Sequence, residues 1–158
     1  MSTQLENRPI IKKGVKYKRA PRNTGALMFP KQDMYRNQKL LDLAKGMPCT
    51  LLITAGPHDP EHSVSCHSNS SRHGKAKSQK AHDAYHAHGC AACHHELDFG
   101  KSLSRYAREM IMAWAMQRTR QNLIERGLID IGKCDAVSLV TDDSYWLQCW
   151  RSGEIRVA

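Results

Sequence analysis

All nine histidines and four of the six cysteines fall between Cys49 and His95, and residues 58 to 89 carry almost no large apolar side chain apart from Val64 and Tyr85. A stretch this polar cannot offset its own chain entropy by burial, so it must be organised by a metal, a ligand or neighbouring elements. Thiolate and imidazole are the side chains that bind zinc best, and a CxxC pair supplies half of a tetrahedral site. Cys90 and Cys93, in Cys90-Ala-Ala-Cys93-His94-His95, have that spacing. Cys49, at the head of the apolar run Cys49-Thr-Leu-Leu-Ile-Thr54, is the best candidate for the other half-site. The fourth ligand lies among His58, His62 and Cys66; His58 is favoured because the Gly56-Pro57 turn before it folds the chain back toward Cys49. Interleaved histidines favour metal ligation over a disulfide framework. Cys134 and Cys149 stand outside the cluster and read as structural thiols.

A chain of 158 residues is about one domain's worth, so one compact unit with extensions is expected. Residues 1–34 carry Arg8, Lys12, Lys13, Lys16, Lys18, Arg19 and Arg22, broken by Pro9, Pro21 and Pro30, and read as an extended basic arm. A short helix is expected over Tyr35 to Ala44, closed by Gly46 and Pro48. Cys49 to Thr54 reads as a strand ended by Gly56-Pro57. After Gly100 the apolar positions Leu103, Tyr106, Ala107, Met110, Ile111 and Trp114 recur at helical spacing, with Ser102 as N-cap and Gly127 as stop. That stripe is expected to pack as core. From Ala136 onward, runs such as Val137-Ser-Leu-Val140 and Tyr145-Trp-Leu-Gln-Cys-Trp150, separated by Thr141-Asp-Asp-Ser144 and Ser152-Gly153, suggest a small antiparallel meander. The division expected is an arm over 1–34, a central domain over 35–131 and a C-terminal β extension over 132–158.

Lysine and arginine number 24 against 15 acidic residues, a formal excess of +9. This favours a polyanionic partner, nucleic acid before membrane. Aromatic residues make up only 6%, which leaves little material for the stacking platforms of single-strand binders. No run of about 18 apolar residues and no leader-like n-region and h-region is present, so neither a membrane span nor a signal peptide is expected. A cytoplasmic location follows as the expectation.

Beyond the zinc ligands, His94 follows the knuckle directly and is better placed for a second, catalytic metal, since hydrolysis needs an ion with open positions. His67, in Cys66-His67-Ser-Asn69, lies between the half-sites, where a neutral imidazole can take a proton from water near pH 7.

The succession Lys39-Leu-Leu-Asp-Leu-Ala44, Cys49, Asp59-Pro-Glu61, Cys66-His67-Ser-Asn69, Arg72-His73-Gly-Lys75, Lys80-Ala-His-Asp83 and Cys90-Ala-Ala-Cys-His94-His-Glu-Leu-Asp98 resembles the YbcO-like nuclease family of phages and prophages. That family in turn resembles the HNH, or ββα-metal, endonucleases. The resemblance runs from about Arg36 to Ile131 and includes Arg118-Thr-Arg120 and Glu125-Arg-Gly-Leu128. It implies an α+β fold: a zinc-stabilised HNH-like ββα-metal core with flanking helices, to which the basic arm and C-terminal meander are added. It implies structural zinc at Cys49, Cys90 and Cys93, with His58 completing the set, and a catalytic Mg²⁺ or other divalent ion at His94. His67 stands where the general base stands, and Asp83 where it could orient that base or bind the ion. Asn69, Arg72, His73 and Lys75, with Lys77 beside them, would hold the scissile phosphate and its neighbours.

The expectation is therefore a metal-dependent endonuclease hydrolysing DNA phosphodiester bonds, phage- or prophage-encoded and linked to DNA recombination or processing, working in the host cytoplasm. A homodimer is one arrangement that would cut both strands. The alternative is a catalytically inactive, zinc-stabilised DNA-binding or recombination accessory protein, and a redox or metal-storage role is a third reading.

Overall fold

The computed structural model describes residues 33–158, so the arm expected over 1–34 lies outside the described residues except for its last two. The described chain mixes helices with two small antiparallel sheets, an α+β arrangement. Helix α1 (Gln38–Asp42) is capped by Asn37, whose side chain accepts from the Leu40 amide at 3.1 Å. It buries Leu40 completely.

Strands β1 (Val64–His67) and β2 (His86–Gly89) pair antiparallel, with Val64 opposite Gly89 and His67 opposite His86. Helix α2 (Ala91–Phe99) starts immediately after β2, with Cys90 at its N-cap. Gly89 allows this close turn: a Cβ there would lie 2.5 Å from Leu51 Cδ1 and 2.7 Å from Cys66 Sγ. The polar loop from 68 to 85 is held by hydrogen bonds where apolar packing is lacking. The Asp83 amide donates to Tyr35 O at 3.0 Å, the Tyr35 amide donates to His82 Nδ1 at 2.9 Å, and the Ser68 amide donates to Tyr85 O at 2.9 Å.

The strand expected over Cys49 to Thr54 is replaced by an irregular segment. Thr50 makes one ladder-like contact, its amide and hydroxyl both donating to His88 O at 2.7 and 2.9 Å. Leu52 then adopts φ 49°, in the left-handed region, which costs a β-carbon residue about 1–2 kcal/mol. The next amides, of Ile53 and Thr54, point at the sulfur of Cys93 at 3.3 and 3.5 Å. Backbone donors that would extend a strand are committed to a sulfur.

Helix α3 (Arg105–Glu125) begins at Ser104, which caps the Ala107 amide at 3.1 Å, rather than at Ser102. Its buried face is Met112, Ala115, Met116, Thr119, Arg120 and Leu123. The expected stripe is only in part core: Tyr106 is 72% and Trp114 59% exposed, and Met110 is exposed too, while Leu103, Ala107 and Ile111 are half-buried, Ile111 against the core. The helix carries two stripes of the same period, and polar anchoring selects between them. Thr119 Oγ1 accepts from the His88 amide at 3.1 Å and lies 2.9 Å from Thr50 Oγ1, which fixes its face toward β2.

The C-terminal β-meander is corrected to two helices and a ribbon. Helices α4 (Ala136–Thr141) and α5 (Asp143–Ser152) stand between strands β3 (Ile129–Asp130) and β4 (Arg156–Val157), which pair with each other. Asp135 and Asp142 act as N-caps, accepting from Ser138 at 2.7 Å and from Ser144 at 2.8 Å. Trp146, Cys149 and Trp150 are the buried residues of α5, at the i, i+3, i+4 spacing of a helix face. Trp146 donates Nε1–H to Ala84 O at 2.8 Å, which brings the C-terminal helices into the same hydrophobic core as β2 and α3. Burying a side chain of that size contributes on the order of 3 kcal/mol. Among the described residues no helix is long and apolar enough to cross a membrane.

Candidate metal centre and active site

Cys49, His58, Cys90 and Cys93 each bring one donor atom to within 4.8 Å of the others. His58 Nδ1 lies 3.4 Å from Cys90 Sγ and 3.6 Å from Cys93 Sγ. Zinc bonds of about 2.3 Å to sulfur and 2.0 Å to nitrogen require tetrahedral edges of roughly 3.5 to 3.8 Å, so the four residues can hold a metal such as zinc. The other fourth-ligand candidates are elsewhere. His62 Nδ1 pairs with Asp59 Oδ2 at 2.5 Å on the surface, while the Cys66 thiol faces Val64 O at 3.6 Å, pushed up to about 12 by burial. Three donors converge on the Cys93 sulfur. Burial pushes its thiol up, but the Thr54 hydroxyl at 3.4 Å and the Thr54 and Ile53 amides outweigh this and hold it below the ordinary cysteine value.

His67 ends β1 with Nε2 3.1 Å from Asp83 Oδ1. Arg36 NH1 donates to the same oxygen at 2.8 Å, and the Asn37 amide donates to Oδ2 at 2.8 Å. Burial pushes the Asp83 carboxyl up, yet the Asn37 amide, His67 and Arg36 together hold it below the usual carboxylate range. An ionised Asp83 favours the tautomer with hydrogen on His67 Nε2, and leaves Nδ1 without a hydrogen-bond partner among the described residues. Arg36 in turn is fixed by Ala81 O at 2.6 Å and Lys80 O at 3.1 Å.

His94 lies on α2, with Nε2 3.2 Å from Asp98 Oδ2 one turn later. Asp98 Oδ1 accepts from Asn69 Nδ2 at 3.0 Å, so this carboxylate links the loop after β1 to α2. Asp83 and His94 thus close separate pairs, and neither belongs to a set of three or more donors within 4.8 Å of one another among the described residues. Sequence reasoning gave Asp98 no role; its position four residues after His94 is the signal that would have found it.

A cleft of about 830 Å³ opens beside this cluster. Asn69 and Arg72 line it on one side, Arg105 and Arg108 of α3 on another, over Leu97, Met112 and Met116. His73 also lines it, but both ring nitrogens are engaged, Nδ1 with Ser68 Oγ at 2.7 Å and Nε2 with Asp143 Oδ2 at 3.1 Å. Lys75 is half-buried and does not line the cleft. Asp143 also receives the buried Arg120 at 2.5 Å, so one carboxylate at the start of α5 braces the loop against α3.

His86 and His88 face the core from β2, with His86 Nε2 and both ring nitrogens of His88 unpartnered among the described residues. Burial pushes His86 down to about 3, with His88, His67 and Arg120 acting the same way and its contact with Asp83 O at 2.8 Å opposing them. The unfolded chain takes up that proton near pH 6.5, whereas the folded chain refuses it until about pH 3. Stability should therefore fall as pH drops through this window, by at most about 1.4 kcal/mol per pH unit from this group. Urea midpoints measured across the window should fall less steeply for His86→Gln than for the wild type, and equal slopes would remove His86 from the account.

No curated protein and no solved structure matches this chain. Residues 38–128, which contain Cys49, His58, Cys90 and Cys93 as well as His67, Asp83, His94 and Asp98, match the model of one family. That match spans more than half of the 158 residues, and the chain belongs to the family described as "Putative nuclease YbcO".

Proposed function

We propose that this protein is a metal-dependent endonuclease that hydrolyses DNA phosphodiester bonds with His67 as general base. The observation that carries the reading is the chain Arg36–Asp83–His67, which holds one imidazole nitrogen on a carboxylate and leaves the other without a partner among the described residues. The order β1, β2, α2, with His67 at the strand end and His94 on the helix, supports an HNH-like ββα-metal core. Structural zinc belongs at Cys49, His58, Cys90 and Cys93.

In this mechanism His67 Nδ1 takes a proton from a water that attacks phosphorus. Asp83 keeps the ring in the required tautomer and stabilises the imidazolium that forms. His94 and Asp98 are the pair that would hold a catalytic divalent ion, their 3.2 Å separation being close to the roughly 3.0 Å edge of an octahedral site with 2.1 Å bonds. When bound, such an ion supplies positive charge at the scissile phosphate and the leaving 3′ oxygen. Asn69 steadies Asp98 and Arg72, in the cleft, flanks the path of the phosphates, while His73 braces that loop through Ser68 and Asp143 and the basic residues of 1–34 add salt-sensitive, sequence-independent attraction. Two copies acting as a homodimer would cut both strands. The resemblance extends this reading to DNA recombination or processing for a phage or prophage in the host cytoplasm.

The test is conversion of supercoiled plasmid to nicked circle in Mg²⁺, Mn²⁺ or Ni²⁺, which the wild-type protein is expected to perform. Salt-dependent duplex binding with no cleavage in any of the three would exclude the enzyme and leave the DNA-binding accessory protein.

A further inference from the structure

Beyond residue 128, outside the family match, a second set of possible metal donors converges, two of them soft sulfurs. The sulfurs of Cys134 and Cys149 and a carboxylate oxygen of Glu154 lie within 4.8 Å of one another, with Cys134 Sγ 3.5 Å from Glu154 Oε2. Local structure fixes each one. Cys134 sits in a tight turn after β3, its amide donating to Ile131 O at 3.0 Å, with Asp130 Oδ1 accepting from the Gly132 amide at 2.9 Å. Cys149 is carried on the buried face of α5 beside Trp146 and Trp150. Gly153, at φ 78°, reverses the chain, and the Ile155 amide returns to Cys149 O at 3.2 Å, which brings Glu154 back over the two sulfurs.

We propose that Cys134, Cys149 and Glu154 form a second metal site, for a thiophilic divalent cation such as zinc, fastening the β3–β4 ribbon to α5. Bonds of about 2.3 Å to sulfur and 2.1 Å to oxygen require a sulfur–oxygen edge of roughly 3.6 Å, and the observed one is 3.5 Å. Both thiols are buried while Glu154 is exposed, so the fourth position opens toward solvent and takes water. Glu154 has no ion-pair partner among the described residues; a carboxylate turned onto two thiols without a counter-charge is the donor set that a cation would complete. With one solvent-facing carboxylate ligand, this site should release its metal before the three-cysteine, one-histidine centre does.

The experiment is elemental analysis of the full chain, purified with reductant and dialysed against zinc. Wild type should carry one more zinc per chain than Cys134→Ser/Cys149→Ser. Glu154→Gln, an exposed change that leaves both thiols and the fold in place, should lose that zinc to a competing chelator at least tenfold more readily than wild type. Equal zinc content in wild type and the double variant would overturn the proposal. So would a Cys134–Cys149 disulfide in the wild type without the extra zinc. Should the double variant not fold, unchanged chelator release from Glu154→Gln overturns it instead.

Discussion

Replacing Cys93 with serine is expected to cost the protein its cooperative fold. Cys93 is fully buried and joins three stretches at once: the first turn of α2, the Ile53 and Thr54 amides, and the donor set of Cys49, His58 and Cys90. The region it ties together has little else to hold it, because the buried apolar residues between Cys49 and Cys90 are Leu51, Cys66, Ala81, Ala84, Tyr85 and Ala87, most of them small. Structural zinc contributes apparent free energies of about 10–16 kcal/mol in zinc-finger peptides, as large as the roughly 5–15 kcal/mol by which a whole domain is stable. Loss of one sulfur ligand should therefore abolish the thermal transition and the near-ultraviolet circular dichroism. Strong chelation of the wild type should do the same, reversibly with added zinc. Cys66→Ser is the control, an equally buried thiol outside the donor set. It should keep the zinc and lose only about 1–2 kcal/mol, the cost of burying a hydroxyl beside an acceptor. A Cys93→Ser protein that melts within a few degrees of wild type with its metal content intact would refute a structural metal at this centre.

That centre was legible in the sequence because its information is local. A CxxC spacing, an apolar run after Cys49 and a Gly-Pro turn ahead of His58 each constrain a few bonds of backbone, and the four donors meet as those constraints suggest. The errors share a different cause. Cys49 to Thr54 has strand composition, but a strand needs a partner edge, and here the edge is a sulfur. The period of α3 was readable and its phase was not, since the choice between the Tyr106–Met110–Trp114 stripe and the Met112–Met116–Leu123 face depends on Thr119 meeting Thr50 and His88 from distant parts of the chain. The C-terminal segment was misread for a related reason. Its Trp146, Cys149 and Trp150 have helical spacing, but β-branched and aromatic composition outweighed period, and the caps Asp135 and Asp142 resemble turn residues. Asp143 was invisible for a third reason: its role, bracing His73 and Arg120, comes entirely from partners 70 and 23 residues away.

His67→Ala should lower the nicking rate by about 10²–10⁴-fold, the range that a positioned general base contributes, while leaving duplex affinity and zinc content unchanged. The separation of effects follows from what His67 touches. Its one polar partner among the described residues is Asp83, and it is not among the zinc donors. Asp83 itself is a less clean probe, since its other oxygen holds the Asn37 amide and its first also receives Arg36. Asp83→Asn keeps the shape but reverses the preference for hydrogen on His67 Nε2, because an amide can present its NH₂ group there. Its rate should fall with duplex affinity unchanged, and its melting point should drop as well, whereas His67→Ala should move the rate alone. Arg36→Ala, which removes a cation from Asp83 without touching the imidazole, should fall between wild type and Asp83→Asn in rate. A His67→Ala protein that nicks at the wild-type rate would break the assignment at its root, since the reading rests on the one ring that Asp83 holds by Nε2 and that has no hydrogen-bond partner at Nδ1 among the described residues.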